Sequence, residues 1–253
     1  MRFGISVLSG RSGTSNFAAF VFASAGERSR QHKTHRGTAS RCRAHTAAHE
    51  PSIVLLAVKR AVDVIGASFG LLLFAPLLIG IAIAIKMTSP GPMFFRQKRY
   101  GYHNRRFWIY KFRTMFTHLG DHRGTRQTTN DDPRVTPIGR ILRKTSLDEL
   151  PQLINVLKGD MSLVGPRPHV PGMLAAGLLY EQFTPYYFQR HNIRPGITGL
   201  AQVSGYRGST TVPLSAVERL DHDLQYIEKW SLWLDLSIIV RTIIREFISG
   251  SGH

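Results

Sequence analysis

Val64–Ile85 reads V-I-G-A-S-F-G-L-L-L-F-A-P-L-L-I-G-I-A-I-A-I, 22 residues without a charge. As a helix it would be about 33 Å long at ~1.5 Å per residue, against a hydrocarbon core of about 30 Å. Lys59 and Arg60 stand before it and Lys86 after it, and no second stretch matches its quality. A soluble core helix of this length rarely lacks charge altogether. The segment therefore predicts one membrane-embedded helix over residues 58–88, closed by the breaker Ser89-Pro90-Gly91-Pro92.

Whether that helix crosses is a separate question. Pro76 removes a backbone donor in its middle, and Gly66, Gly70 and Gly80 loosen it, so a kink is expected. Positive charge flanks both ends, which gives no orientation but favours the same side for each. A re-entrant helix fits that pattern, at the cost of finding partners for backbone freed by the kink. A single-pass helix with a proline kink stands beside it as an equal alternative.

Outward from this segment the chain is basic, with 33 Lys and Arg against 16 acids and a net charge of +17. The partners implied are anionic: nucleic acid, an acidic membrane surface or phosphorylated substrates. The single cysteine, Cys42, excludes an intrachain disulfide and a cysteine metal knuckle. Residues 1–57 read as a basic, disordered tail, with eight Lys/Arg and two Glu in the first 50 residues. Within it Asn16–Ala25 resembles a weak signal peptide.

Residues 89–253 read as one α+β, mainly helical domain. Met93–Arg96 and Phe107–Phe112 alternate and are aromatic-rich, which predicts a short β-hairpin turning over Tyr100–Arg106. Residues 91–126 hold nine Lys/Arg against one acid. Basic residues interleaved with aromatics also suit nucleic acid, but beside a membrane segment lipid phosphate or a nucleotide sugar is the better anion. Gly120–Asp132 reads as a polar, mobile loop. Thr136-Pro137 is an N-cap and first-turn pair for a short helix carrying Arg140 and Arg143.

Leu142–Pro168, L-R-K-T-S-L-D-E-L-P-Q-L-I-N-V-L-K-G-D-M-S-L-V-G-P-R-P, carries the chemistry. It sets adjacent carboxylates, Asp148 and Glu149, between Arg140, Arg143 and Lys144 upstream and Lys158 and Arg167 downstream. Carboxylates among cations suit phosphoryl transfer, where one attacks phosphorus or holds a divalent metal while arginines hold phosphate oxygens. The bland alternative is helix capping, since acids are commonplace at helix starts. Two starts compete: a capping box of Ser146 and Glu149, or Asp148 as N-cap with Pro151 in the first turn. Val164-Gly165-Pro166-Arg167-Pro168 and Ile193-Arg194-Pro195-Gly196 each present an arginine beside a tight turn, as fixed anion holders do.

Two helices close the chain. Ser215–Trp230 places Val217, Leu220, Leu224 and Ile227 on a stripe, with Asp221, Asp223 and Glu228 largely solvated. The last places Leu232, Leu236, Ile239, Ile243 and Phe247 on one face, either in the core or in the membrane interface, and Trp230 and Trp233 favour the interface. Walker, dinucleotide, metalloprotease and nucleophile-elbow motifs are all absent, and the eleven His show no zinc spacing.

Residues 59–248 resemble the bacterial sugar transferase family of monotopic polyprenyl-phosphate phosphoglycosyl transferases. The likeness runs in order through K-R-x-x-D at Lys59–Asp63, the apolar segment, K-F-R-T-M at Lys111–Met115, the Leu142–Pro168 signature, R-P-G-I-T-G-L-A-Q-V-S-G-Y-R-G and D-x-x-Y-I-E-x-W-S-L-W-L-D-L at Asp223–Leu236. The wording of the last two is similar to initiators of exopolysaccharide and colanic acid synthesis that transfer glucose 1-phosphate. Those usually carry an N-terminal block of membrane helices, which is missing here.

The resemblance implies that a UDP-sugar and undecaprenyl phosphate give undecaprenyl-diphosphate sugar and UMP. It gives Asp148 as the nucleophile that forms a covalent phosphosugar and Glu149 as the ligand of Mg²⁺. Arg143 then lies near the lipid phosphate, Arg167 and Arg194 in phosphate-holding turns, and Lys111 and Arg113 in a basic motif close to the site. It implies a re-entrant helix, membrane lipids but no nucleic acid as partners, a homodimer left open, and a bacterial inner membrane location with the catalytic domain facing the cytoplasm. One departure is Ala75-Pro76, where the family commonly has Ser-Pro, and it bears on the bend rather than the chemistry. The rival reading is a single-pass protein whose basic domain only binds, which leaves Asp148–Glu149 unexplained.

Overall fold

A computed structural model describes residues 52–119, 132–175, 178–182, 184–206 and 213–249, with 175, 213–214 and 246–249 described for backbone only. Residues 1–51 of the expected 1–57 tail, the loop expected at Gly120–Asp132 except Asp132, and the side chain of Phe247 lie outside the described residues, while residues 53–57 are helical and not disordered.

Helix α1, Ile53–Thr88, is continuous over 36 residues with Pro76 inside it. It begins before the expected residue 58 because Ser52 caps it, its hydroxyl accepting from the Leu55 amide at 3.3 Å, and Ile53–Leu56 carry no helix breaker. By length and composition it is the one helix among the described residues able to cross a membrane. Most of its surface is apolar and exposed: Ile65, Phe69, Leu72, Leu73, Ile79 and Ile83 face outward. A narrow stripe is buried, with Lys59, Asp63, Ala67, Ile81 and Ile85 as its fully covered positions.

Both ends of that stripe rest on the same domain. Helix α2 is Pro137–Lys144, α3 is Gln152–Lys158, and the hairpin is β1 Phe94–Tyr100 with β2 Arg106–Phe112. Near the start of α1, Ala67 packs with Ile109, Leu153, Val156 and Met161. Near its end, Ile81 and Ile85 pack with Phe112 and Leu142. Each large side chain so buried contributes about 1.5–3 kcal/mol, more than an exposed ion pair would.

Polar contacts fix the ends. Lys59 Nζ donates to Asp235 Oδ2 at 2.6 Å and the Val164 carbonyl at 3.1 Å. Arg60 donates to the carbonyls of Val156 and Leu157 at the end of α3, at 2.6 and 2.9 Å. Asp63 Oδ1 accepts from Ser162 Oγ and the Leu163 amide, both at 2.9 Å. The K-R-x-x-D motif is thus a lock between α1 and the domain.

The hairpin forms as expected but is longer and tighter. Its strands pair antiparallel from Phe94↔Phe112 to Tyr100↔Arg106, so β1 extends past the expected Arg96. The charged residues Arg96, Lys98 and Arg99 mask an alternation in which Phe95, Gln97 and Arg99 turn inward, with Tyr100 buried at the strand's end. The link is only Gly101–Arg105, with His103 and Asn104 at positive φ. Strands β3, Ser162–Val164, and β6, Gly196–Thr198, pair in parallel, and β4, Leu174–Ala175, pairs with β5, Leu178–Leu179. A Cβ on Gly196 would meet the Gly165 amide at 2.0 Å, so the two turns carrying Arg167 and Arg194 pack backbone to backbone, which only glycine allows.

Helices α4, Leu200–Val203, α5, Pro213–Glu228, and α6, Leu232–Ser249, complete the fold. On α5, Leu220 and Leu224 are buried as the stripe predicts, but Asp223 is buried too and not solvated. On α6 the apolar face read from the sequence divides: Leu236 and Ile243 are exposed, as an interface helix would have them, and Leu232 and Ile239 are half-buried. Asp235 and Ile238 are buried, while Trp233, Leu236, Val240, Ile243 and Ile244 form an exposed apolar face. Asp235 turns inward because it is the shared acceptor of Lys59, Tyr226 Oη at 2.7 Å and Trp230 Nε1 at 3.2 Å.

Candidate active site

The site grows from the break between α2 and α3. Thr136 caps α2, its hydroxyl accepting from the Gly139 amide at 3.0 Å, with Pro137 in the first turn as expected. After α2 the chain reverses through Ser146 at φ 56° and makes a single 3₁₀ turn over Leu147–Glu149. Pro151 then caps α3 with no side-chain bond. Neither expected helix start is realised: Ser146 closes no capping box and Asp148 is not the N-cap. The reason is Pro151, which has no amide to give and moves the first helical turn past the acids. Gly159, at φ 87°, ends α3 as expected.

Glu149 and Asp148 are neighbours with opposite circumstances. Glu149 Oε1 accepts from Lys111 Nζ at 2.7 Å and from Arg167 at 2.6 Å, and its Oε2 accepts from Arg167 at 3.2 Å. The fork-to-carboxylate pairing fixes its orientation. Glu149 holds the Arg167 guanidinium above its usual range, while burial pushes the Lys111 ammonium down against the pull of Glu149.

Asp148 makes no hydrogen bond or ion pair among the described residues, although it is buried. Burial raises its pKa, Lys111 pulls it back, Glu149 adds to the rise, and Arg143 and Arg167 oppose it. It is a carboxylate in a cationic field with no bonded partner, which leaves its oxygens available to an incoming phosphorus. Arg143 stands on the α2 side. Its Nε donates to Thr114 Oγ1 at 2.9 Å, and burial lowers its pKa while Asp148 raises it.

Asp148, Glu149, Arg143, Lys111 and Arg167 are thus brought together, and two other expected residues are not. Arg113 donates to Ser89 O and Oγ at 2.7 and 2.8 Å and to Pro90 O at 3.0 Å, so it clamps the end of α1. Strand alternation explains this, since residues 111 and 113 share a face only while the strand lasts, and β2 ends at Phe112. Arg194 donates to the Gly159 carbonyl at 3.1 Å and lies over the Tyr102 ring at 5.6 Å. Gly159 closes the far end of α3, whereas Glu149 precedes its start, so Arg194 is not in the carboxylate cluster.

The sequence reading missed three groups. Arg99 reaches in from the hairpin, donating to Gln97 Oε1 at 2.6 Å and Pro168 O at 3.2 Å, and burial followed by repulsion from Arg167 brings its pKa down to about 10. Arg190 donates to the Arg167 carbonyl at 2.7 Å and pairs with Asp223 Oδ2 at 2.5 Å, both side chains wholly buried. Gln152 lies beside Lys111 and Arg167 and is 2 % exposed. The strand period could have found Arg99, which shares a face with Lys111. Nothing local marks the other two.

Among the described residues no three His, Cys, Asp or Glu side chains gather to hold a metal. The donors present fit a magnesium ion of another kind, one that keeps most of its ligands from phosphate and water and takes one or two carboxylates from protein. Glu149, with Asp148 beside it, would hold such an ion. When bound it would neutralise diphosphate charge.

The model of the bacterial sugar transferase family matches residues 54–249, and the chain belongs to that family. It is 49 % identical over 197 residues to the exopolysaccharide production protein PSS of Rhizobium leguminosarum bv. phaseoli, covering 78 % of this chain and 98 % of that one. It is 50 % identical over 194 residues to the undecaprenyl-phosphate glucose phosphotransferase of Komagataeibacter xylinus, covering 77 % and 36 %. The UDP-glucose:undecaprenyl-phosphate glucose-1-phosphate transferase of Escherichia coli K12 is 46 % identical over 196 residues, covering 78 % and 41 %. The chain spans well under half the length of the last two. Membership makes it a transferase of the phosphoglycosyl class.

Proposed function

We propose that this chain transfers a sugar 1-phosphate from a UDP-sugar to undecaprenyl phosphate, giving undecaprenyl-diphosphate sugar and UMP. The observation that carries this is the contrast within one turn: Glu149 clamped by Lys111 and Arg167, and Asp148 buried beside it with no bond among the described residues. An Asp148 oxygen attacks the sugar-bearing phosphorus, the bond from that phosphorus to the bridging oxygen breaks, and UMP leaves. An oxygen of the lipid phosphate then attacks the same phosphorus, and the aspartyl–phosphorus bond breaks. Lys111, Arg143 and Arg167 spread the phosphate charge in both steps, and magnesium held through Glu149 is part of the proposal. Glucose is the sugar favoured, from the names of the Komagataeibacter and Escherichia relatives.

The same proposal makes residues 58–88 membrane-embedded without crossing. Contacts at both ends of α1 with one domain support this, because a spanning helix would drag that basic domain into hydrocarbon. Residues 89–253 then lie at the cytoplasmic face of the bacterial inner membrane, with the exposed apolar face of α6 in the interface.

The test is UMP release from a panel of UDP-sugars by membrane-extracted protein with magnesium and undecaprenyl phosphate. Lipid-dependent release with one sugar is expected, lost in chelator and in Asp148→Asn, while membrane association of that variant persists. Full activity of Asp148→Asn would overturn the nucleophile, and no release from folded protein with any sugar would favour the binding-domain reading.

A further inference from the structure

Behind the Glu149 clamp lies a cavity of about 10 Å³, lined by Arg99, Lys111, Gln152 and Arg167 with Ile109 and Pro168. That is room for a single oxygen atom. Two of its lining residues bring buried donors with no acceptor among the described residues: Arg99 Nε and Gln152 Nε2. Buried donors are nearly always paired, so two at one small cavity need a reason. The rest of the Arg99 head is fixed by Gln97 and Pro168, so its Nε is not turning to find a partner. Gln152 is 2 % exposed and packed in place. Two of the remaining linings are cations, which leaves an anionic oxygen as the complement.

We infer that Arg99 and Gln152 form an oxyanion pocket for a non-bridging oxygen of the transferred phosphoryl group. This rests on the phosphoglycosyl-transfer reading and adds to it the residues that receive the charge. A neutral amide and a guanidinium Nε, preset at the cavity wall, need no reorganisation as charge builds on that oxygen. The same phosphorus reacts in both half-reactions, so the pocket serves both.

Gln152→Met keeps the shape and removes the donor. In the full-length protein with magnesium and UDP-glucose, the single-turnover release of UMP without lipid and the steady rate with undecaprenyl phosphate should both fall about 100-fold, with KM for UDP-glucose little changed. The melting temperature should hold or rise, because an unpaired buried donor is lost. Arg99→Lys keeps the charge but lacks Nε, and should lose rate in the same two steps. Rates of Gln152→Met within about 3-fold of wild type, or loss in the lipid step alone, would overturn the pocket. A lowered melting temperature for Gln152→Met would also overturn it, since the amide would then be bonded inside the fold. If wild-type protein releases no UMP from any donor, the transfer reading fails by itself. The pocket is then judged with inorganic phosphate, which should raise the melting temperature of wild type and not of Gln152→Met; equal shifts would overturn it.

Discussion

The turns carrying Arg167 and Arg194 look alike in sequence, each an arginine pressed against proline and glycine, yet they have different employments. Arg167 points its fork at Glu149, 2.6 Å away, before the start of α3. Arg194 reaches the Gly159 carbonyl at the other end of α3 and covers Tyr102. The two turns touch through Gly165 and Gly196, so backbone position does not separate them. What separates them is where each side chain finds an acceptor: a carboxylate in one case, a half-buried helix-end carbonyl in the other. An anion-holding turn is defined by what its arginine meets.

Four measurements bear on that difference. Arg167→Met should cause the largest loss, about 100-fold or more in kcat, because it strips Glu149 of its bidentate partner and the phosphate of a cation. Asp223→Asn should come next. It leaves Arg190 buried without its counter-charge, and Arg190 holds the Arg167 carbonyl. Breaking such a buried pair costs about 3–5 kcal/mol of stability, read by denaturant unfolding, and kcat should fall with it while Asp148 is untouched.

The third is the acid limb of UMP release without lipid, which avoids titration of the lipid phosphate. Burial raises the pKa of Asp148, so its nucleophilic form is lost as pH falls through that raised value, above the usual aspartate value of about 3.9. A limb at or below the ordinary value would show the cations outweighing burial. The smallest effect is expected of Arg194→Met: kcat within about 5-fold of wild type, with a modest drop in melting temperature from a lost contact to α3. A loss as large as that of Arg167→Met would place Arg194 on the substrate after all.

Much of this was legible before any coordinates. The cap Thr136-Pro137, the end of α3 at Gly159, the hairpin and the long apolar helix all follow from local chemistry, because each is decided within a few residues. The cluster of Asp148, Glu149, Arg143, Lys111 and Arg167 was legible as well, Lys111 from motif wording and the others from the Leu142–Pro168 stretch itself. Asp223 was misread because an acid on a helical stripe looks solvated until a buried arginine from elsewhere meets it. The inward face of α6 was not legible, because its centre is the polar Asp235, held by Lys59 from 176 positions away.

Sequence alone therefore determined the element types, the apolar segment, the carboxylate pair and the family resemblance, all of which depend on residue kinds at short spacing. Only the tertiary structure decided which cations surround the pair. It put Arg99 and Gln152 beside Lys111 and Arg167 and the Arg190–Asp223 pair behind Arg167, and sent Arg113 and Arg194 to the ends of α1 and α3. The physical reason is that a charge settles where a distant partner and burial make its desolvation tolerable, and the distance along the chain carries no record of that partner.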